Sequence, residues 1–156
     1  WIALSVVGLL ATLTWILSLI KRDASIADQV WGLFFIAVAA SGAISSGFAS
    51  ARATLVLVLV AVWGLRLSWH IHRRNRHAAE DYRYQKMREQ HGKKWWWYSL
   101  FKVFYLQGGL ALLVAAPFYV IFDAANDKPL SGFDAVALTA GNHEARAASA
   151  RASAWR

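Results

Sequence analysis

Apolar residues along this chain gather into four long runs separated by short, mostly basic, polar segments. The runs occupy about residues 1–20, 30–48, 53–71 and 100–122. None alternates strictly between polar and apolar positions as a half-buried or barrel strand would. Each falls within the roughly 17–25 residues that carry an α-helix across a hydrocarbon layer about 30 Å thick. A segment facing lipid must satisfy its own backbone hydrogen bonds, so helix is the expected form. The pattern therefore predicts an all-α, polytopic transmembrane helical bundle with about four spans. Gly42, Gly47 and Pro117 lie inside or near the ends of these runs, where membrane helices tolerate such residues, and they are expected to set no boundary. The first run ends in Lys21-Arg22 rather than in small residues suited to cleavage, so it reads as a span and not as a signal peptide. A start at Trp1 rather than Met is expected of a fragment or of a chain that has lost a short N-terminal piece.

Composition agrees with lipid exposure. The hydrophobic share is 58% over 156 residues, with nine Trp, more apolar surface than a soluble domain of this length buries. There is no cysteine, which excludes disulfides, thiolate nucleophiles and cysteine-held metal centres. The net charge of +8 suits either nucleic acid or the retention of basic loops on the cytoplasmic face, and its distribution favours the second. Segment 72–98 holds Arg73, Arg74, Arg76, Arg83, Lys86, Arg88, Lys93 and Lys94, and Lys21 and Arg22 follow the first run. The opposite side carries only Arg52 and Lys128. These counts predict an N-terminus outside, a cytoplasmic basic loop over 72–98, and an outer loop over 123–134. Trp95, Trp96, Trp97 and Tyr98 join the basic loop to the last run, where amphipathic rings settle among headgroups; a base-stacking platform is the alternative. Beyond residue 135 the chain turns to Ala, Arg and Ser, expected of a solvated tail or of out-of-frame translation. Residues 1–134 thus form the membrane region and 135–156 a tail.

Candidate chemistry lies where spans hold polar groups. Arg66, His70 and Arg73 are spaced i, i+4 and i+7, so one helix face presents three basic groups to a phosphate or to lipid headgroups. In the stretch Glu80-Asp81-Tyr82-Arg83-Tyr84, Arg83 could bind phosphate, Tyr84 could donate a proton to a carbonyl oxygen and Glu80 and Asp81 could orient either; ordinary surface ion pairs are the alternative. His70, His72 and His77 do not make a metal site, because residues two apart on a helix diverge and no further ligand completes a tetrahedral set. Asp28 opens the second run, where an acid caps a helix dipole, and Gln107 places an amide beside Gly108 and Gly109, for packing or for substrate contact.

Taken in order, these motifs resemble the DUF1295 family of bacterial membrane proteins, placed among steroid 5-alpha-reductase-like enzymes. The resemblance runs over about residues 15–134, through 23–32, Trp63-Gly64-Leu65-Arg66-Leu67-Ser68-Trp69-His70-Ile71, Glu80-Asp81-Tyr82-Arg83-Tyr84, Met87-Arg88, Trp95 to Trp97, and Phe101 to Gly108. It implies an NADPH-dependent reductase that saturates the double bond of a steroid or lipid-like enone, by hydride transfer to the β-carbon while an acid polarises the carbonyl. On that resemblance, Arg66, Arg73 and Arg83 are expected to contact cofactor phosphates. Tyr84, Glu80 and Asp81 are expected near the reacting end, and Asp28, Trp31 and Gln107 along the substrate cavity. The family's terminal motif of the type Arg-His-Pro-Asn-Tyr with a following Gly-Glu does not occur in this sequence, so the expectation is an N-terminal half without activity of its own. The competing reading is a non-enzymatic membrane module that holds anionic lipid headgroups through its basic loop.

Overall fold

The computed structural model describes residues 1–48, 51–76 and 78–124, and they are helical with no strand among them. Helix α1 (Ile2–Lys21) ends because Arg22 turns left-handed, with φ 54°, and its N–H and that of Asp23 fold back on the Leu19 and Ser18 carbonyls at 3.3 and 3.0 Å. Asp23 Oδ1 then accepts the Ser25 N–H at 2.8 Å, a side-chain-closed turn that launches the one-turn helix α2 (Ile26–Gln29). Helix α3 (Trp31–Ser45) follows after Val30, and α4 (Ala51–Asn75) returns antiparallel to it. The rest is a helical run from Tyr82 to Val114 in several registers: α5 (Tyr82–His91), a 3-10 turn (Gly92–Lys94), α6 (Trp95–Ser99), a π-helical turn (Leu100–Tyr105) and α7 (Leu106–Val114). Helix α8 (Ala116–Ala124) closes the described chain.

Among the described residues, three helices are long and apolar enough to cross a membrane: Ile2–Lys21, Ala51–Asn75 and the 33-residue run Tyr82–Val114. The second apolar run of the sequence makes a helix of only 15 residues, Trp31–Ser45, about 22 Å long and short of a hydrocarbon core of about 30 Å. Two boundaries also correct the sequence reading. Gly47, at φ +63°, terminates α3, and the last run is interrupted at Ala115, two residues before Pro117. Proline has no N–H to give and its ring clashes with the carbonyl four residues back, so it sits in the first turn of a new helix. The basic segment 72–98 is mostly helix rather than loop. His72, Arg73 and Arg74 complement the dipole at the end of α4, and Asp81 caps α5 by accepting the Arg83 N–H at 2.9 Å. The expected outer loop with Lys128, the 135–156 tail and His77 lie outside the described residues.

Small residues let the helices touch. Gly32 of α3 and Gly64 of α4 meet backbone to backbone: a Cβ on Gly64 would stand 2.7 Å from the Gly32 carbonyl oxygen, and one on Gly32 would overlap the Gly64 carbonyl. Gly108 admits Val7 of α1 in the same way, with 2.9 Å between its notional Cβ and Val7 Cγ1. Phe34 and Phe104 are fully enclosed between these contacts. Helix α4, by contrast, buries only Ala53 and Gly64 and leaves Val58, Val62 and Leu65 outside, as a helix facing lipid does.

Candidate functional site

The site is built where two turns dock at the basic end of the bundle. The Ala24 N–H donates to Glu80 Oε1 at 2.7 Å, and the Asp81 N–H donates to Ser25 Oγ at 2.8 Å. Arg88 locks this contact, with Nη2 on Glu80 Oε1 at 2.6 Å and on the Arg22 carbonyl at 3.3 Å, and its guanidinium lies over the Trp95 ring. Both basic segments of the sequence therefore lie at one end of the molecule, as their alternation with the spans required. Docking lays the first turn of α5 over α2.

The consequence is a polar cluster drawn from three distant segments. Tyr84 Oη donates to Asp28 Oδ1 at 2.9 Å, and Gln107 Nε2 donates to the same oxygen at 3.2 Å while standing 3.5 Å from Tyr84 Oη. Arg83 Nη2 holds the second carboxylate oxygen, Asp28 Oδ2, at 3.2 Å and also pairs with Asp81 Oδ2 at 2.9 Å. Tyr84 is buried, and so is the Gln107 carbonyl oxygen, which has no hydrogen-bond partner. The Arg83 side chain and backbone N–H, acting on Asp81, hold that carboxyl below its ordinary value of 3.8.

Beside this cluster opens a cleft of about 580 Å³, lined by Asp28, Trp31, Leu67, His70, Ile71, Arg74 and Arg83. Asp28 forms its polar wall, and the phenol of Tyr84 reaches that wall only through the shared hydrogen bond. Of the three basic residues expected on one face of α4, His70 lines the cleft, whereas Arg66 and Arg73, about 40° and 60° to one side of it around the helix, do not. Arg74 takes the position the sequence reading gave to Arg73. The signal for it was present: Gly64, Leu67, Ile71 and Arg74 continue one stripe, and the glycine marks that stripe as the packed face. Glu80 and Asp81, expected near the reacting end, are engaged in docking and capping, while Asp28, Tyr84 and Gln107 are brought together. His72 leaves this side altogether and pairs through Nδ1 with Gln29 Oε1 at 3.0 Å. Trp96, Trp97, Phe101 and Tyr105 form a partly exposed ladder of ring contacts with centroids 5.5, 4.9 and 5.5 Å apart, anchored by Trp15 Nε1 on the Trp96 carbonyl at 2.9 Å.

An uncharacterized protein of Schizosaccharomyces pombe is 28% identical to this chain over 138 residues, 83% of this chain, and the chain spans about 40% of that relative's length. No solved structure matches the chain. The DUF1295 family model, described as a protein of unknown function, matches residues 14–141, which include the docked turns, the cleft and the whole Asp28–Tyr84–Gln107 cluster; the chain belongs to the DUF1295 family.

Proposed function

We propose that this chain carries the substrate-polarising part of a membrane-embedded, NADPH-dependent reductase of steroid or lipid-like enone double bonds. The observation that supports this reading is the Asp28–Tyr84–Gln107 cluster beside a cationic cleft. Polar and ionisable groups inside an apolar bundle are costly, and they mark ligand sites more often than packing. The donor set of the cleft fits a nucleotide: His70, Arg74 and Arg83 offer charge or hydrogen bonds to phosphates, and Trp31, Leu67 and Ile71 offer apolar surface to rings. Bound NADPH would supply the hydride. The chain's own part is to stabilise the negative charge that develops on the carbonyl oxygen of the acceptor. Tyr84 Oη and Gln107 Nε2 already converge on one oxygen atom, Asp28 Oδ1, so a substrate carbonyl oxygen that took the place of that acceptor would meet two donors fixed in direction beforehand. Arg83 restrains Asp28, and Glu80, through Arg88 and Ala24, holds the turn from which Asp28 projects. Arg66 and Arg73 stand outside the cleft and would act only through the positive field at its mouth.

The test uses the full-length protein in nanodiscs, following NADPH oxidation with a panel of steroid and short enones. Substrate-dependent oxidation is expected. Tyr84→Phe should lower kcat by about 10²–10⁴-fold, the usual worth of a positioned proton donor, and Arg74→Ala should weaken NADPH binding by about ten- to a hundredfold. The 156-residue chain alone is expected to bind the cofactor weakly without turnover, because a phosphate cradle does not by itself orient a ring at reacting distance. Absence of NADPH binding by the full-length protein would refute the proposal.

A further inference from the structure

A second cleft, on the opposite face of α4, is not part of the site described above. Its volume is about 310 Å³, and Gln29, Leu33, Leu65, Ser68, Trp69 and His72 line it. Consecutive residues of α2 divide the two spaces: Asp28 faces the first and Gln29 the second. The walls grade in polarity along the axis of α4. His72, paired with Gln29 Oε1, stands at the basic end, and that pairing leaves the Gln29 amide N–H groups over. One turn further in, about 6 Å by helical rise, lies Ser68, whose Oγ is buried without a hydrogen-bond partner. Another turn on, about 10 Å from His72, only Leu65 and Leu33 remain.

We propose that this cleft binds one glycerophospholipid, its phosphate at His72 and Gln29, an ester carbonyl at Ser68 and an acyl chain against Leu33 and Leu65. A phospholipid carries the same order of groups over the same distance: an anionic acceptor, a neutral acceptor one helical turn deeper, then hydrocarbon. Rotation of the Ser68 side chain about its Cα–Cβ bond would turn this enclosed hydroxyl into the cleft, where an ester oxygen would satisfy a group that otherwise stays desolvated and unpaired. The flanks suit the same ligand, because Arg73 brings positive charge to this end of the helix and Trp69, largely exposed, lines the cleft. The site is independent of the reductase reading, since it shares no lining residue with the cationic cleft.

The experiment reconstitutes the chain in phosphatidylcholine nanodiscs containing a trace of phosphatidylglycerol with a photoactivatable diazirine in its acyl chain, and maps labelled peptides by mass spectrometry. Labelling is expected to concentrate on the 65–69 segment rather than on the exposed face of α1 at Leu9 and Leu13. Ser68→Ala should lower cleft labelling by about two- to tenfold, the worth of one neutral hydrogen bond, with α1 unaffected. Ser68→Thr should retain it, and Leu65→Trp, which fills the hydrocarbon part, should remove it. Equal labelling of α1 and the cleft, or cleft labelling that survives both Ser68→Ala and Leu65→Trp, would overturn the proposal. A diazirine fatty acid that labels the cleft as strongly as the phospholipid would also overturn it, by showing that phosphate and glycerol contribute nothing.

Discussion

At the scale of single residues, the carboxylate of Asp28 is the acceptor on which the site depends. Replacing it with leucine leaves Tyr84 Oη without its acceptor and Gln107 Nε2 with only the long 3.5 Å contact to Tyr84 Oη, whereas Tyr84→Phe removes one donor and leaves Gln107 paired with Asp28. Each orphaned buried group costs about 1–3 kcal/mol, so Asp28→Leu should lower the melting temperature in detergent more than Tyr84→Phe does, and Asp28→Asn, which keeps an acceptor oxygen, should fall between wild type and leucine. Equal melting temperatures for all three would show that the cluster contributes nothing to stability. Asp81 makes a pH prediction of definite sign. Its folded-state carboxyl is held below 3.8 by Arg83, so the stabilisation it gives is present above that value and is lost as pH falls through the lower, folded one. Below about pH 4 the wild type should lose stability more steeply than Asp81→Asn, a comparison that subtracts the other carboxylates. Asp28, Tyr84 and Gln107 were legible as candidates because an acid at the edge of an apolar run, a phenol within a basic segment and an amide inside an apolar run each stand out from their neighbours. The docking work of Glu80 and Asp81 was not, since nothing in a local sequence tells that the Glu80 carboxylate will meet the Ala24 N–H, or the Asp81 N–H the Ser25 hydroxyl, 56 residues away.

At the scale of elements, glycine positions separate contact from mere presence. Gly32 and Gly64 sit where two helix backbones touch, Gly108 where a backbone meets the side chain of Val7, and Gly8 where a Cβ would meet nothing within 4 Å. Alanine at Gly32 or Gly64 should therefore cost at least the roughly 1–3 kcal/mol of an overpacked core, Gly108→Ala should cost less, and Gly8→Ala should stabilise by about 0.5–1 kcal/mol through helix propensity. Thermal unfolding of the four variants checks the order, and a destabilising Gly8→Ala would contradict it. The four apolar runs foretold where the helices lie because lipid exposure writes itself plainly in hydropathy. Helix ends were less readable. The extension of α4 to Asn75 and the break at Ala115 depend on charge at a helix terminus and on a proline clash, and a run of apolar residues records neither.

At the scale of the molecule, the docked turns gather Lys21, Arg22, Arg83, Arg88 and the end of α4 at one pole, and α3 runs from that pole to Ser45 at the other. The excess of Lys and Arg predicts that the first pole faces the cytoplasm. Single cysteines at Gln90 and Ser45 are unambiguous reporters in a chain with none of its own. In intact cells an impermeant maleimide should label the Ser45 variant and spare the Gln90 variant, and the reverse pattern would invert the orientation. The gathering of basic residues at one pole was legible in the sequence because it is a sum over many charges. It did not convey that two clefts flank α4, which requires knowing which face Gly64 turns toward α3.

The π-helical turn at Leu100–Tyr105 sets the phase of everything after it. Such a turn accommodates one residue more than an α-helix would in the same height, so it acts as an angular offset inserted between the aromatic anchor and the polar cluster. Wound as an ordinary α-helix with all its residues, the same stretch would turn α7 by about 100° and advance it by about 1.5 Å. Gln107 would then point away from Asp28, and Val7 would meet a side chain in place of Gly108. The geometry of the cluster thus depends on a turn that absorbs one residue, and deleting one there, for example Lys102, should let α-helical winding carry α7 in the same phase and leave the cluster assembled.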